Sequence, residues 1–129
     1  MTKNDRGLTL SVSLLCLLFL THYVAIKLYF YWSFWWFDIL MHILSAMAVS
    51  LTAFFYLQGS NRVFSIRQLF SRTIFAVLAI SVLWEIYEFF AGVTFSTMEM
   101  YYLDTAIDLV MDIVGGFIGM AIAYGASRA

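Results

Sequence analysis

The chain has 129 residues, of which 64% are hydrophobic and 12% are charged, and it contains no proline. This composition excludes an ordinary water-soluble domain and indicates an integral membrane protein. The formal net charge of -1, without a basic arm or a glycine-rich phosphate loop, excludes a nucleic-acid partner. The length predicts one domain, residues 1–129, and the single cysteine, Cys16, can form neither an internal disulfide nor a thiolate metal cluster.

Four apolar segments are long enough to cross a bilayer as helices. They are too long for barrel strands and do not alternate between apolar and polar residues. The predicted spans are approximately residues 8–30, 36–57, 73–93 and 104–124. The predicted fold class is therefore all-α, a polytopic membrane protein built as a bundle of about four transmembrane helices.

Basic side chains are distributed unevenly between the two predicted sides of the membrane. Those before the first span, between the second and third, and after the fourth are Lys3, Arg6, Arg62, Arg67, Arg72 and Arg128. The other side holds only Lys27. Because cytoplasmic loops of membrane proteins are rich in lysine and arginine, this asymmetry predicts a multi-pass protein of the inner (cytoplasmic) membrane with both termini in the cytoplasm.

Two connecting segments have a composition that is typical of the membrane surface. Residues 29–37 are almost all aromatic, which predicts an interfacial belt on the outer face. Residues 58–72 mix apolar side chains with arginines, which predicts a short amphipathic helix lying on anionic lipid. Both predictions concern anchoring in the bilayer rather than chemistry.

An acidic stripe followed by glycines marks the fourth span. Asp104, Asp108 and Asp112 recur at every fourth position, so that on a helix they share one face. Each aspartate in the middle of a membrane costs roughly 2.5–3.5 kcal/mol, so the stripe needs compensating partners. Gly115 and Gly119 follow at the spacing that lets a second helix approach closely. The partner helix could belong to the same chain or to a second copy, in a homo-oligomer through these two glycines.

Polar side chains on the other spans are predicted to reach the same depth. Asp38 and His42 lie one helical turn apart near the start of the second span, and Glu85 and Glu88 share a face near the end of the third. With both termini inside, these residues and the acidic stripe all fall in the outer half of the bilayer. His22, late in the first span, arrives near this depth as well.

The predicted cluster has many more acids than bases, so a bound cation or protons must remove the excess negative charge. Oxygen ligands favour Mg²⁺, Mn²⁺ or Ca²⁺, and a histidine nitrogen also admits Zn²⁺ or Fe²⁺. Glu85 and Glu88 are candidates for a catalytic general base. The predicted metal ligands are Asp38, His42, Asp104, Asp108 and Asp112.

Three stretches of the chain carry a family resemblance. They read F-D-I-L-M-H at 37–42, W-E-I-Y-E-F at 84–89 and D-T-A-I-D-L-V-M-D-I-V-G-G at 104–116. Together they resemble the YjdF-like and VanZ-like small integral membrane proteins. The resemblance implies a helical membrane domain in which polar residues of three helices meet, here Asp38, His42, Glu85, Glu88, Asp104 and Asp108. It does not imply a reaction, because these relatives have no established activity, although some VanZ-like members are associated with glycopeptide resistance.

Three functions are compatible with such a cluster. The first is a divalent-cation site that faces the outer leaflet and acts on an envelope or lipid-linked substrate. The second is a component of a proton- or cation-coupled transporter, because buried carboxylates and histidines form proton relays. The third is an assembly subunit in which the polar cluster only fixes helix packing. Whether the protein is an enzyme stays open, since no nucleophile or catalytic signature accompanies the acids.

Overall fold

The computed structural model describes residues 2–60, 62–92 and 98–128, and every long element in it is a helix. The helices of these segments are α1 (Lys3–Lys27), α2 (Phe30–Ser33), α3 (Trp35–Gly59), α4 (Ile66–Ala91) and α5 (Met98–Arg128). All but the short α2 are long and apolar enough to cross a membrane. This confirms the predicted fold class.

The helix boundaries follow local capping signals rather than the edges of the apolar runs. A capping box between Thr2 and Asp5 starts α1, and a second one between Ser65 and Gln68 starts α4. Gly92 ends α4 with a left-handed backbone, φ 67°, which glycine adopts without strain. As a result α1, α4 and α5 begin several residues before the predicted spans. Residue 93, the predicted end of the third span, lies outside the described residues.

The prediction of a surface-lying helix in residues 58–72 is wrong. After the cap at Ser65, the chain runs without interruption from Ile66 into the membrane-spanning part of α4. Arg67 and Arg72 therefore lie on the first two turns of α4, where the guanidinium of Arg72 sits 4.8 Å from the centre of the Phe64 ring. The arginines are thus placed to hold the end of a spanning helix at the membrane surface.

The aromatic rings of residues 29–37 divide into exposed and buried ones, and the predicted interfacial belt can include only the exposed ones. Tyr29 and Trp35 are 67% and 82% exposed, as an interfacial ring requires. Tyr31 and Phe37 are buried instead, with their ring centres 5.1 Å apart. They belong to an apolar cluster with Leu18 and other residues of α1 and α3, which closes one end of the bundle.

Helix α3 is the centre of the bundle, since it packs against α1, α4 and α5. Its closest partner is α5, because Gly115 and Gly119 have no side chains to separate the two backbones. A methyl group at Gly115 would collide with the carbonyl of Ile43, and one at Gly119 would lie 2.5 Å from the carbonyl oxygen of Met47. The predicted close approach therefore occurs within one chain. Since α3 already fills this face, a homo-oligomer would need a different surface.

Candidate functional site

The close contact of α3 with α5 also places the acidic stripe. Asp104, Asp108 and Asp112 continue the α5 face that carries the two packed glycines, so the stripe is held against the beginning of α3. Asp38 and His42 lie in that part of α3, and the last turns of α4 supply Glu85 and Glu88. All seven predicted site residues therefore meet at the end of the bundle where α3 begins and α4 ends.

His42 is the centre of this cluster. Its ring is 3% exposed, and Nδ1 lies 3.2 Å from Oδ1 of Asp112. On the other side of the ring, Nε2 lies 3.7 Å from Oδ1 of Asp38 and 3.8 Å from Oδ2 of Asp108. Because only the Nδ1 distance is short enough for a hydrogen bond, Nδ1–H donates to Asp112. This bond leaves Nε2 facing two carboxylates.

Several atoms of the cluster are buried without a hydrogen-bond partner in the described part of the chain. They are Nε2 of His42, Oδ2 of Asp108 and Oε1 of Glu85. His42, Glu85 and Asp108 also form a set whose potential ligand atoms lie within 4.8 Å of one another. A buried polar atom without a hydrogen-bond partner is costly, so a bound cation or a further polar group would be stabilised at this place.

Two further sets of side chains meet the same distance limit of 4.8 Å. They are Asp38 with His42 and Glu88, and Asp38 with Asp104 and Asp108. Because the sets share members, they describe one continuous group of ligand atoms rather than separate sites. Asp112 belongs to none of them. It lies behind the His42 ring, where its carboxylate orients the imidazole.

The two glutamates each have one oxygen held by a neighbour. Thr105 Oγ1 donates to Oε2 of Glu85 at 2.7 Å, and Trp84 Nε1 donates to Oε1 of Glu88 at 2.8 Å. Both glutamates are about 95% buried. These bonds fix the carboxyl groups in orientation and leave Oε1 of Glu85 as the free oxygen of that side chain.

His22 forms a second polar pair beside the cluster. It is 4% exposed, and its Nδ1 lies 2.6 Å from the hydroxyl of Tyr31. Burial raises the pKa of Tyr31, so the phenol keeps its proton, and at this short distance we assign its O–H as the donor to Nδ1 of a neutral imidazole. The proton of the neutral imidazole is then on Nε2, which has no hydrogen-bond partner among the described residues. Trp84 packs edge-on against this ring, with the centroids 4.7 Å apart.

A cavity of about 150 Å³ connects His22 with the cluster. Its polar end is formed by His22, Tyr31, Asp38, His42 and Asp112. The rest of its lining is mostly apolar, with α1 on one side, α4 on the other and α3 as the floor. In the described segments the backbones of α1 and α4 stay more than 8 Å apart, and the two helices meet through side chains such as His22 and Trp84. The cavity lies in this gap, and its lining residues Phe19 and Ile80 are exposed on the outside of the bundle.

The sequence indicated the acids and His42, and it placed His22 near the cluster. It gave no signal for the roles of Tyr31, Trp84 and Thr105. Tyr31 belongs to the aromatic run that predicted a belt, and Trp84 lies in an apolar span. Their contacts depend on how each helix is rotated about its axis, which the spacing of residues in one helix does not determine.

The fold and the site define a class of protein, a multi-helix membrane protein with a buried cluster of acids around one histidine. A family model described as "Predicted membrane protein (DUF2238)" matches residues 2–129, and the chain belongs to that family. No curated protein and no solved structure matches the chain significantly. The family description thus supports a membrane protein and names no activity. We therefore infer the function from the geometry of the site.

Proposed function

We propose that the cluster binds a divalent cation within the membrane and acts on a lipid-linked substrate. The observation that carries this proposal is a pair of buried atoms without a hydrogen-bond partner, Nε2 of His42 and Oδ2 of Asp108, which lie 3.8 Å apart at the distance of a loose ion pair. Direct hydrogen bonding does not account for them, because this distance is too long. A cation between them would satisfy both atoms and reduce the negative charge of the site.

The spacing of the ligand atoms supports this proposal. A tetrahedral ion about 2.0–2.1 Å from each of its ligands holds them roughly 3.3–3.4 Å apart. The distances from Nε2 of His42 to Asp38 and Asp108 are 3.7 and 3.8 Å, so a small inward movement would complete such a site. The donor set of one imidazole and several carboxylates suits Zn²⁺, Mn²⁺ or Fe²⁺, whereas a purely oxygen set drawn from Asp38, Asp104 and Asp108 suits Mg²⁺ or Ca²⁺.

Each side chain has a role in this proposal. His42, Asp108 and Asp38 hold the cation, and Asp104 is the next available ligand. Asp112 positions His42, in the way that a carboxylate behind a ligating histidine fixes its tautomer. A cation in this place would polarise a phosphoryl or acyl oxygen. The free oxygen of Glu85 would accept a proton from the attacking water, and Glu88 is the alternative base.

The location of the site belongs to the same proposal. The excess of lysine and arginine in one set of loops supports cytoplasmic termini in the inner membrane, and it then puts the cluster on the outer side. A bilayer position suits a substrate that is itself anchored in lipid. We propose that the likeness to YjdF-like and VanZ-like membrane proteins extends to a shared cluster on three helices.

Metal content of the purified protein tests the cation. Protein in detergent would be incubated with Mg²⁺, Mn²⁺ and Zn²⁺, separated from free ions and measured by mass spectrometry. We expect a stoichiometric divalent ion in the wild type and its loss in Asp108→Asn, because the substitution keeps the shape and removes a charged ligand. Ser50→Ala is the matched control. It removes a buried bond of 2.8 Å from α3 to the carbonyl of Gly116 in α5 and does not touch the cluster.

Absence of metal from a monodisperse wild type would contradict the proposal. Flux measurements in proteoliposomes would then decide between the remaining functions. Movement of protons or cations that depends on Asp108 would support the transporter, whereas stability without flux in Asp108→Asn and Glu85→Gln would support a structural cluster. Retention of metal in Asp108→Asn and its loss in Ser50→Ala would contradict the assignment of ligands.

A further inference from the structure

We propose that the cavity between α1 and α4 binds the single apolar chain of a lipid phosphate monoester, and that His22 Nε2–H donates to its head group. This inference rests on the proposed function, because it supplies the substrate class for the same site. It is argued from the lining of the cavity, from its open side and from the unpartnered nitrogen of His22.

The lining separates the cavity into an apolar part and a polar end. Leu15 and Leu18 of α1 face Val77 and Ile80 of α4 across it. The observed volume of the cavity is about 150 Å³. An apolar cavity of this size holds a ligand of about six carbon atoms, which is part of one lipid chain.

The rim shows where the rest of the chain would lie. Phe19 of α1 and Ile80 of α4 line the cavity and are 68% and 48% exposed on the outside of the bundle. In a bilayer this outside surface contacts the acyl chains of lipids. A chain longer than the cavity therefore passes between α1 and α4 into lipid without crossing a polar surface, as expected for a molecule that enters from the membrane.

The polar end indicates the chemistry of the head group. Tyr31 donates to Nδ1 of His22, so the hydrogen on Nε2 is a donor without an acceptor in the described part of the chain. Asp38 and His42 line the same end, and His42 is the centre of the proposed cation site. A donor on one side and a cation on the other both favour anionic oxygen. A phosphate monoester provides several such oxygens on one atom.

Binding of radiolabelled dodecyl phosphate to the protein in phosphatidylcholine nanodiscs tests this inference, with empty nanodiscs as background. We expect saturable binding that is displaced by unlabelled dodecyl phosphate and not by dodecyltrimethylammonium, which has the same chain and no acceptor. In His22→Leu the affinity should fall at least about tenfold, and the discrimination between the two amphiphiles should disappear. His22→Gln can supply an amide N–H, so it should keep most of the affinity and most of the discrimination between the two amphiphiles.

A matched pair of variants tests the apolar part. Ser45→Leu puts a larger side chain on the cavity floor, and the lost hydroxyl bonds only to the carbonyl of His42 one turn earlier. Thr52→Leu is the control, because Thr52 does not line the cavity. It otherwise resembles Ser45, since it lies on the same helix, is half-buried and bonds to a carbonyl of its own helix, that of Ala48. We expect a loss of about tenfold or more in affinity for Ser45→Leu and little change for Thr52→Leu.

Equal affinities for Ser45→Leu and Thr52→Leu, or equal displacement by both amphiphiles, would overturn the inference. Metal content measured on the same preparations separates this failure from failure of the proposed function. Bound metal with unaltered lipid binding in Ser45→Leu would contradict the chain site alone. Saturable, cavity-dependent binding in a protein without metal would support the chain site and contradict the cation.

Discussion

Replacing Gly115 with alanine tests how the site is held together. The added methyl carbon would lie 3.0 Å from Cα of Ile43 and closer still to its carbonyl oxygen, both of which are backbone atoms. Carbon atoms pack best at about 3.5–4.0 Å, so the two helices must separate by roughly 0.5–1 Å. A gap of that size forfeits about a quarter to a half of the dispersion energy at each contact that it opens.

The expected cost of Gly115→Ala is about 1–3 kcal/mol of unfolding free energy, reduced by up to about 1 kcal/mol because alanine is the better helix former. Unfolding in mixed micelles, followed by circular dichroism, measures this difference. Gly125→Ala is the matched control on the same helix, since a methyl group there would meet nothing within 4 Å. It should be neutral or stabilising. Equal stability of the two variants would refute the reasoning that α3 and α5 meet backbone to backbone at Gly115.

Two further predictions concern single hydrogen bonds. Asp112→Asn should weaken metal binding about 10–100-fold, because the amide can reverse the tautomer of His42. Competition with a chromophoric chelator measures this loss of affinity. An unchanged metal affinity would contradict the positioning role of Asp112. Since the pKa of Tyr31 is raised above its unfolded value of about 10, stability should fall as the pH rises above that value. Melting temperatures at pH 9 and 11 should show a smaller fall in Tyr31→Phe than in the exposed control Tyr29→Phe, and equal falls would contradict the buried phenol.

The sequence was sufficient to predict features that depend on spacing within one helix. The four-residue repeat of Asp104, Asp108 and Asp112 places them on one face whatever the helix packs against. The same holds for the pair Asp38 and His42. Topology then predicted that these groups share a depth, and the structure brings them together.

Features that depend on the rotation and ends of helices could not be predicted in this way. Asp112 was predicted as a ligand, and its contact with Nδ1 of His42, on the other side of the ring from Asp38 and Asp108, depends on the rotation of α5, which residue spacing does not determine. The segment before Arg72 was expected to lie on the membrane surface. Its mixture of arginines and apolar residues occurs both in surface helices and in the first turns of spanning helices, so composition does not distinguish the two. The cap at Ser65 decides between them.

The wide spacing between the backbones of α1 and α4 in the described segments has a consequence for the proposed site. The six acids of the cluster and His42 are carried by α3, α4 and α5, whereas α1 contributes His22 and one wall of the cavity. Under the proposed functions, substitutions in α1 would change which apolar chain the cavity accepts, while the proposed cation ligands stay in place. Substrate selection could then change through the first helix without loss of the reacting groups.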